Sequence, residues 1–482
     1  MNSLLISDGY KQSHKEQYPS GTSLVYSNWT PRSRKYAIGK TNGVVVFGIQ
    51  AFIKKFLIDD FNRNFFHLPL QEVKTSFVRR MTHYLGTDPD DSHIEALHRL
   101  GYLPIVIKAL PEGSICPIGV PMLTIYNTIP EFYWVTNFLE TIMSTELWLP
   151  MTAATISKEY KDLLVAWGHK TCDDLEHVPF QAHDFSMRGM AGLEAARMSG
   201  AGHLLSFSGT DTIPAIDYLE EYYLADCTQE LIGVSIPATE HSVMSMGKKE
   251  HEMDTFKRLI TEIYPQGLLS IVSDTWNLWK VLGDYLPALK KEILARDGKI
   301  VIRPDSGDPV EIIVGGASTP SEKGVVELLW ETFGGSVNKQ GYKVLDGHIG
   351  VIYGDSITLE RAERICEGLA AKGFASSNIV FGVGSYTFQY NTRDTYGFAM
   401  KATYGEVSGV GREIFKNPIT DDGTKKSAKG LLKVEPNDKG EFVLVDQVTW
   451  AEEAEGALQV VFRDGALVKE TSLGEIRAQL GG

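Results

Sequence analysis

The stretch 268-LLSIVSD-274, followed by 275-TWNLWKVLGDYLPALKKEILARD-297 and then 299-KIVIRPD-305, decides how this chain folds. A short apolar run closing on a polar turn reads as a strand buried on both faces, and the segment behind it carries helical spacing. The unit recurs on both sides. Upstream stand 180-FQAHD-184, 203-HLLSFSGTD-211 and 233-GVSIPATEH-241. Downstream stand 349-IGVIYGD-355, with the helix-like 358-TLERAERICEGLAAKG-373 behind it, and 378-NIVFGVG-384. Successive strand ends are mostly about thirty residues apart, the length of one βα unit. The longer gap after Asp305 holds 315-GGASTPSEKG-324, a loop before another helix. Seven units in series predict an α/β fold, an irregular βα barrel of about seven parallel strands over residues 151–389.

The flanks have a different texture. Segments 21-GTSLVYSNWTPRSRKY-36, 43-GVVVFGIQAF-52 and 103-LPIVIKALPEGSICPIGVPMLTIYNT-128 read as strands joined by Pro/Gly turns. Segments 429-KGLLKVEPNDKGEFVLVDQVTW-450 and 457-ALQVVFRDGALVKE-470 read as hairpins with DKG and DG turns. Residues 1–150 and 390–482 are therefore expected to build one β-rich domain around the barrel.

Composition narrows the function classes. A formal charge of −14 argues against a general electrostatic grip on nucleic acid or anionic membrane, while leaving room for a local basic pocket. No apolar run has the length of a signal peptide or membrane span. Cys116, Cys172, Cys227 and Cys366 are far apart and form no metal-type pair, which fits a reducing cytoplasm.

Barrel enzymes work where strands end, and these strand ends carry Asp184, Asp211, His241, Asp274, Asp305 and Asp355. Each Asp alone could simply cap the next helix. A rim that also gathers His241 and Arg303 is harder to explain by capping. His241 beside Glu240, with Asp274 and Asp305 on neighbouring strands, could act as base, metal ligand or phosphate acceptor. Arg303 and Asp305 in 302-IRPDSGDP-309 could share a magnesium–phosphate group. The turn Gly382-Val383-Gly384 can bring backbone N–H groups to a phosphate or can be a tight turn only. Behind it, Arg393, Lys401, Lys416, Lys425 and Lys426 are either a solvated face or a phosphate cradle. No Walker loop, dinucleotide fingerprint, HExxH or cysteine zinc spacing is present.

In order along the chain, DGYKQSHKEQYP, VYSNWTPR, PEFYWVTNFLET, HDFSMRG, FSGTDT, SIPATEHS, IVSDTW, IRPDSGDP, YGDS, FGVGS and TRD resemble the nicotinamide phosphoribosyltransferase family over essentially the whole length. The resemblance implies that nicotinamide and phosphoribosyl pyrophosphate give nicotinamide mononucleotide and pyrophosphate in NAD salvage. It also implies magnesium, and ATP coupled through a phosphohistidine, by position His241 supported by Asp274 and Asp305. The nicotinamide ring would lie between Phe185 and Tyr10 of a second subunit, making the protein a homodimer with shared sites. Asp211 would accept from the carboxamide, with Arg188, Ser235 and Ser270 also at the substrate. Phosphate contacts would fall to Arg303, Gly354, Asp355, Gly384, Ser385 and Arg393, to Arg32 of the second subunit, and to Lys401, Lys416 and Lys425. Magnesium would meet Asp305, mainly through pyrophosphate. The turn at Gly384-Ser385-Tyr386 has fewer glycines than the family's, and Ala399 replaces a serine. Three rivals stand beside this reading: a nicotinate phosphoribosyltransferase, against which Asp211 argues, a metal-dependent barrel hydrolase or aldolase, and a non-catalytic binding protein that kept the fold, against which the intact His, Asp and Arg set argues.

Overall fold

The computed structural model describes residues 1–354, 357–416 and 428–481. The barrel strands pair in parallel in the order Gly209–Thr210, Ala182–Asp184, Val380–Val383, Ile349–Tyr353, Ile300–Arg303, Leu269–Val272. Segment 234–238 closes the ring through parallel bridges of Val234 to Gly209 and of Ala238 to Ser270. It is not a regular strand because Pro237 has no N–H to give to the ladder. The Pro237 carbonyl still accepts from Ser270 N at 2.9 Å. All seven segments read from the sequence thus take part in the ring. One differs in detail: in HLLSFSGTD the residues up to His203 end the helix Leu193–His203, and only Gly209–Thr210 is strand. Short apolar runs serve a buried helix end as well as a strand.

Alternation along the strands separates two environments. Ile271, Ile302, Val351 and Phe381 point outward into a core shared with helices such as Leu359–Ala371 and Val325–Phe333. The residues that alternate with them, spaced two apart from each other on the opposite face (Gln181, His183 and Phe185, Gly209 and Asp211, Leu268 and Ser270, Lys299, Val301 and Arg303), point inward. Barrel interiors are normally filled by layers of bulky branched side chains. Here Gly209, Ala238 and Ser270 stand at inward positions, and a cavity of about 450 Å³ remains.

Both chain ends contribute to a second sheet. Its order is Val410–Glu413, Ala399–Val407, Thr22–Thr30, Leu123–Asn127, Ile105–Ala109, Gln459–Arg463, Ala466–Leu467, and every pairing is antiparallel. A buried ion pair, Lys108 Nζ to Glu453 Oε2 at 2.9 Å, ties the two ends together, and Trp29 stacks on Phe398 at 5.4 Å. The helix Glu140–Thr171 joins the layers: Met143 and Leu147 lie in the antiparallel sheet's core, Ile156 and Leu164 in the barrel's. The boundary expected at residue 150 therefore falls inside a continuous helix, and the last helix, Leu473–Gln479, packs beside Leu204 and Tyr223 next to the barrel.

Candidate active site

The capping alternative for the strand-end carboxylates can now be weighed directly. Helix caps behind these strands come from residues further along: Asn277 accepts from Lys280 N, Asp308 from Val310 N and Glu311 N, and Thr358 from Arg361 N. Asp274 and Asp211 are thereby left for other work. Asp274 Oδ2 accepts across strands from Asp305 N at 2.8 Å and Ser306 Oγ at 2.6 Å, while its buried Oδ1 has no hydrogen-bond partner among the described residues. His241 opens the helix His241–Met246, with Nε2 at 3.9 Å from both Asp274 Oδ1 and Asp305 Oδ2. Its Nδ1 sits 3.1 Å from the Thr275 hydroxyl, a partner the sequence reading missed. The three residues expected to cooperate are brought together.

Arg303 reaches back to donate to the Thr239 carbonyl, which fixes its guanidinium at the mouth of the cavity. Its buried Nε has no partner among the described residues, leaving an oriented donor. Gly354 makes room here, because a Cβ would lie 2.8 Å from Asp305 Oδ1. Gly384 precedes the short helix Ser385–Gln389 and has open space around it, so sterics alone do not demand glycine there. Gly382 is the constrained one: a Cβ on it would lie 2.7 Å from both Phe185 Cδ2 and the Tyr353 carbonyl. The first glycine of the turn therefore serves the ring of Phe185. Arg188 is exposed on the turn Met187–Gly189, which packs against Ser385. Asp355 and Lys425 lie outside the described residues.

Inside the cavity mouth, Asp211 Oδ1 accepts from Ser235 Oγ at 2.6 Å and from His183 Nε2 at 2.8 Å. Burial pushes the Asp211 carboxyl upward, but the hydrogen bonds from His183 and Ser235 outweigh it and hold the group below the usual range. Phe185 flanks this acceptor with its ring tilted on His183 at 4.6 Å. Ser270 lines the same cavity and its buried hydroxyl has no partner among the described residues. The opening thus offers an aromatic face, an ionised acceptor and a free hydroxyl, a set suited to a flat heteroaromatic ring bearing a polar substituent. His183 was missed from the sequence. Its position two before Phe185, on the same face of one strand, was the available signal.

Four of the expected phosphate contacts lie elsewhere in the same chain. Arg32 and Lys401 line a cavity of about 380 Å³ beside the antiparallel sheet. Burial lowers the Lys401 ammonium, and the charges of Arg32, Lys416 and Arg393 lower it further against an opposing Glu140. Burial and Arg393 likewise lower Arg32. Lys401 and Arg32 are thus made costlier to charge by burial and by neighbouring cations, and an anion bound beside them would relieve that cost. Tyr10 is 60% exposed, and its ring contacts are with His14 at 4.8 Å and the Lys11 ammonium rather than with Phe185.

The chain thus presents a cluster of cations, a cavity mouth flanked by an aromatic ring and a carboxylate, and a carboxylate-flanked histidine on the barrel rim. Residues 180–465 match the Nicotinate phosphoribosyltransferase (NAPRTase) family, and residues 2–84 match the Nicotinamide phosphoribosyltransferase N-terminal domain. A nicotinamide phosphoribosyltransferase of Acinetobacter baylyi is 53% identical over 494 aligned residues, covering 100% of this chain and 97% of that protein. One from Xanthomonas campestris is 34% identical over 99% of this chain and 97% of its own. Among solved structures, nicotinate-nucleotide pyrophosphorylase from Pyrococcus furiosus shares the fold, with a TM-score of 0.58 at 14% identity over 99% of this chain and 94% of that one. The chain belongs to the nicotinate phosphoribosyltransferase family and is a phosphoribosyltransferase. That membership sets the barrel hydrolase aside.

Proposed function

We propose that this enzyme joins nicotinamide to phosphoribosyl pyrophosphate, giving nicotinamide mononucleotide and pyrophosphate for NAD salvage. The observation that carries the choice of base is Asp211, ionised at the edge of the ring slot. Its carboxylate accepts from an amide NH2 and repels the carboxylate of nicotinate. Ser270 Oγ supplies a donor for the amide oxygen, and Phe185 one face of the ring.

The ring nitrogen is already nucleophilic, so no general base is needed for bond formation. The barrier is loss of pyrophosphate from a ribose carbon that turns positive, and catalysis comes from positioning and from charge placed at the leaving group. Arg303 supplies a fixed cation there. Bound magnesium would neutralise pyrophosphate, and Asp305, in the space that a side chain at Gly354 would fill, is the carboxylate that fits it. Arg32, Arg393, Lys401 and Lys416 act as one cationic group, so the subunit that supplies Arg32 supplies all four. We take that subunit to be the second of a homodimer, which also brings Tyr10 to the open face of the ring. The reaction is assigned to the cytoplasm, in keeping with four free cysteines and with no helix among the described residues long and apolar enough to cross a membrane.

ATP enters through His241. With Nδ1 against Thr275, the ring is held so that Asp274 and Asp305 offset the positive charge it gains on phosphorylation. Product formation with and without ATP tests this: His241→Ala should keep the basal reaction and lose the ATP stimulation. Full stimulation in that variant would remove His241 from the coupling.

A further inference from the structure

We infer that His183 is a positioning residue for base selection, orienting Asp211 so that one carboxylate oxygen is reserved for the bound base. The inference rests on the reading of Asp211 given above. Both hydrogen bonds to Asp211 from its neighbours fall on Oδ1, from His183 Nε2 on one side and Ser235 Oγ on the other. Oδ2 receives none from the described residues. Two donors from different segments of the ring fix the plane of the carboxylate, and Oδ2 is the acceptor left over.

His183 itself has little freedom. It is 12% exposed, Phe185 lies against it at 4.6 Å, and a Cβ on Gly209 would meet its Nδ1 at 2.8 Å. Glycine at 209 is therefore what admits the imidazole into this layer of the barrel. An ionised carboxylate offers only lone pairs, so the imidazole proton in this contact sits on Nε2. The same ring thus touches the aromatic face of the slot and the carboxylate that selects the base. Ser235 alone cannot substitute for it, because it sits on segment 234–238, which is attached by isolated bridges.

Steady-state constants for nicotinamide and for nicotinate in five variants test the inference. His183→Leu should raise the nicotinamide KM roughly tenfold, the worth of one charge-assisted hydrogen bond, and change kcat by less than about threefold. The nicotinamide-over-nicotinate ratio of kcat/KM should fall by a similar factor. His183→Gln, whose amide nitrogen takes the place of Nε2, should restore most of both. His183→Asn, one methylene short, should not, and this pair decides the matter if His183→Leu fails to fold. In an Asp211→Ser background, His183→Leu should add no further loss of selectivity. An unchanged ratio in His183→Leu, alongside a shifted one in Asp211→Ser, would overturn the inference and leave the role of Asp211 standing. An unchanged ratio in Asp211→Ser would overturn that role and the inference with it.

Discussion

Replacing Asp211 with serine removes one negative charge from the edge of the ring slot and keeps a small polar group in its place. In the wild type a nicotinate carboxylate would sit about 4 Å from this group, the spacing of an amide that it accepts. Two unit charges at that distance repel by about 4 kcal/mol at the effective dielectric of a protein surface and by about 1 kcal/mol in water. Asp211 is 45% exposed at its side chain, so solvent screens part of the field and about 2 kcal/mol is the reasonable expectation. That corresponds to roughly a 30-fold change in selectivity. The assay is kcat/KM for each base at saturating phosphoribosyl pyrophosphate and magnesium. Asp211→Ser should narrow the preference by about that factor, with nicotinate gaining and nicotinamide losing its acceptor. A ratio shifted by less than about threefold would show that charge at this position does not choose the base.

Other consequences follow from single contacts. Gly382→Ala should push the Phe185 ring aside and raise the nicotinamide KM roughly tenfold, since overpacking of this kind costs about 1–3 kcal/mol; an unchanged KM would show that Phe185 does not form the slot. If sites are shared, Tyr10→Ala and Phe185→Ala enzymes, each inactive, should recover about a quarter of wild-type activity when their subunits are exchanged, because half the dimers are mixed and each mixed dimer has one intact site. No recovery after verified exchange would place both residues in one subunit's site. Burial pushes Glu112 up to about 7 from an ordinary 4.5, against hydrogen bonds from Gln50 N, the Tyr223 hydroxyl and Gly48 N. The folded chain then keeps a proton that the unfolded chain releases, so the stability from this group is full below its unfolded pKa and declines as pH rises to about 7. The loss amounts to at most about 3 kcal/mol, and chemical denaturation from pH 5 to pH 8 should show a slope that Glu112→Gln flattens.

Much of the barrel was legible because its strands repeat one pattern, and the repeat survives even where Pro237 prevents regular pairing. Where local signals compete, legibility fails. Leu204 and Leu205 are equally apolar whether they end a helix or begin a strand, and only the buried helix before them decides. The hollow interior could have been read from Gly209, Ala238 and Ser270 falling on inward-facing positions, but that needs the strand register, which a single sequence fixes poorly. The rim residues His241, Asp274 and Asp305 were found as strand ends. Thr275 and His183 were not, because each acts through a residue on a different strand, and such a contact exists only once the ring has closed. The turn Gly382-Val383-Gly384 reads either as a phosphate contact or as a tight turn only, and what the sequence does not show is that the space kept open at Gly382 belongs to Phe185.

The most direct test of the account is a competition. Equal concentrations of nicotinamide and nicotinate are supplied with limiting phosphoribosyl pyrophosphate and magnesium, and the mononucleotides are separated by mass spectrometry. The account predicts that nicotinamide mononucleotide dominates in the wild type and loses that dominance in Asp211→Ser. Nicotinate mononucleotide as the main wild-type product would keep the enzyme in its family and contradict the assignment of its substrate.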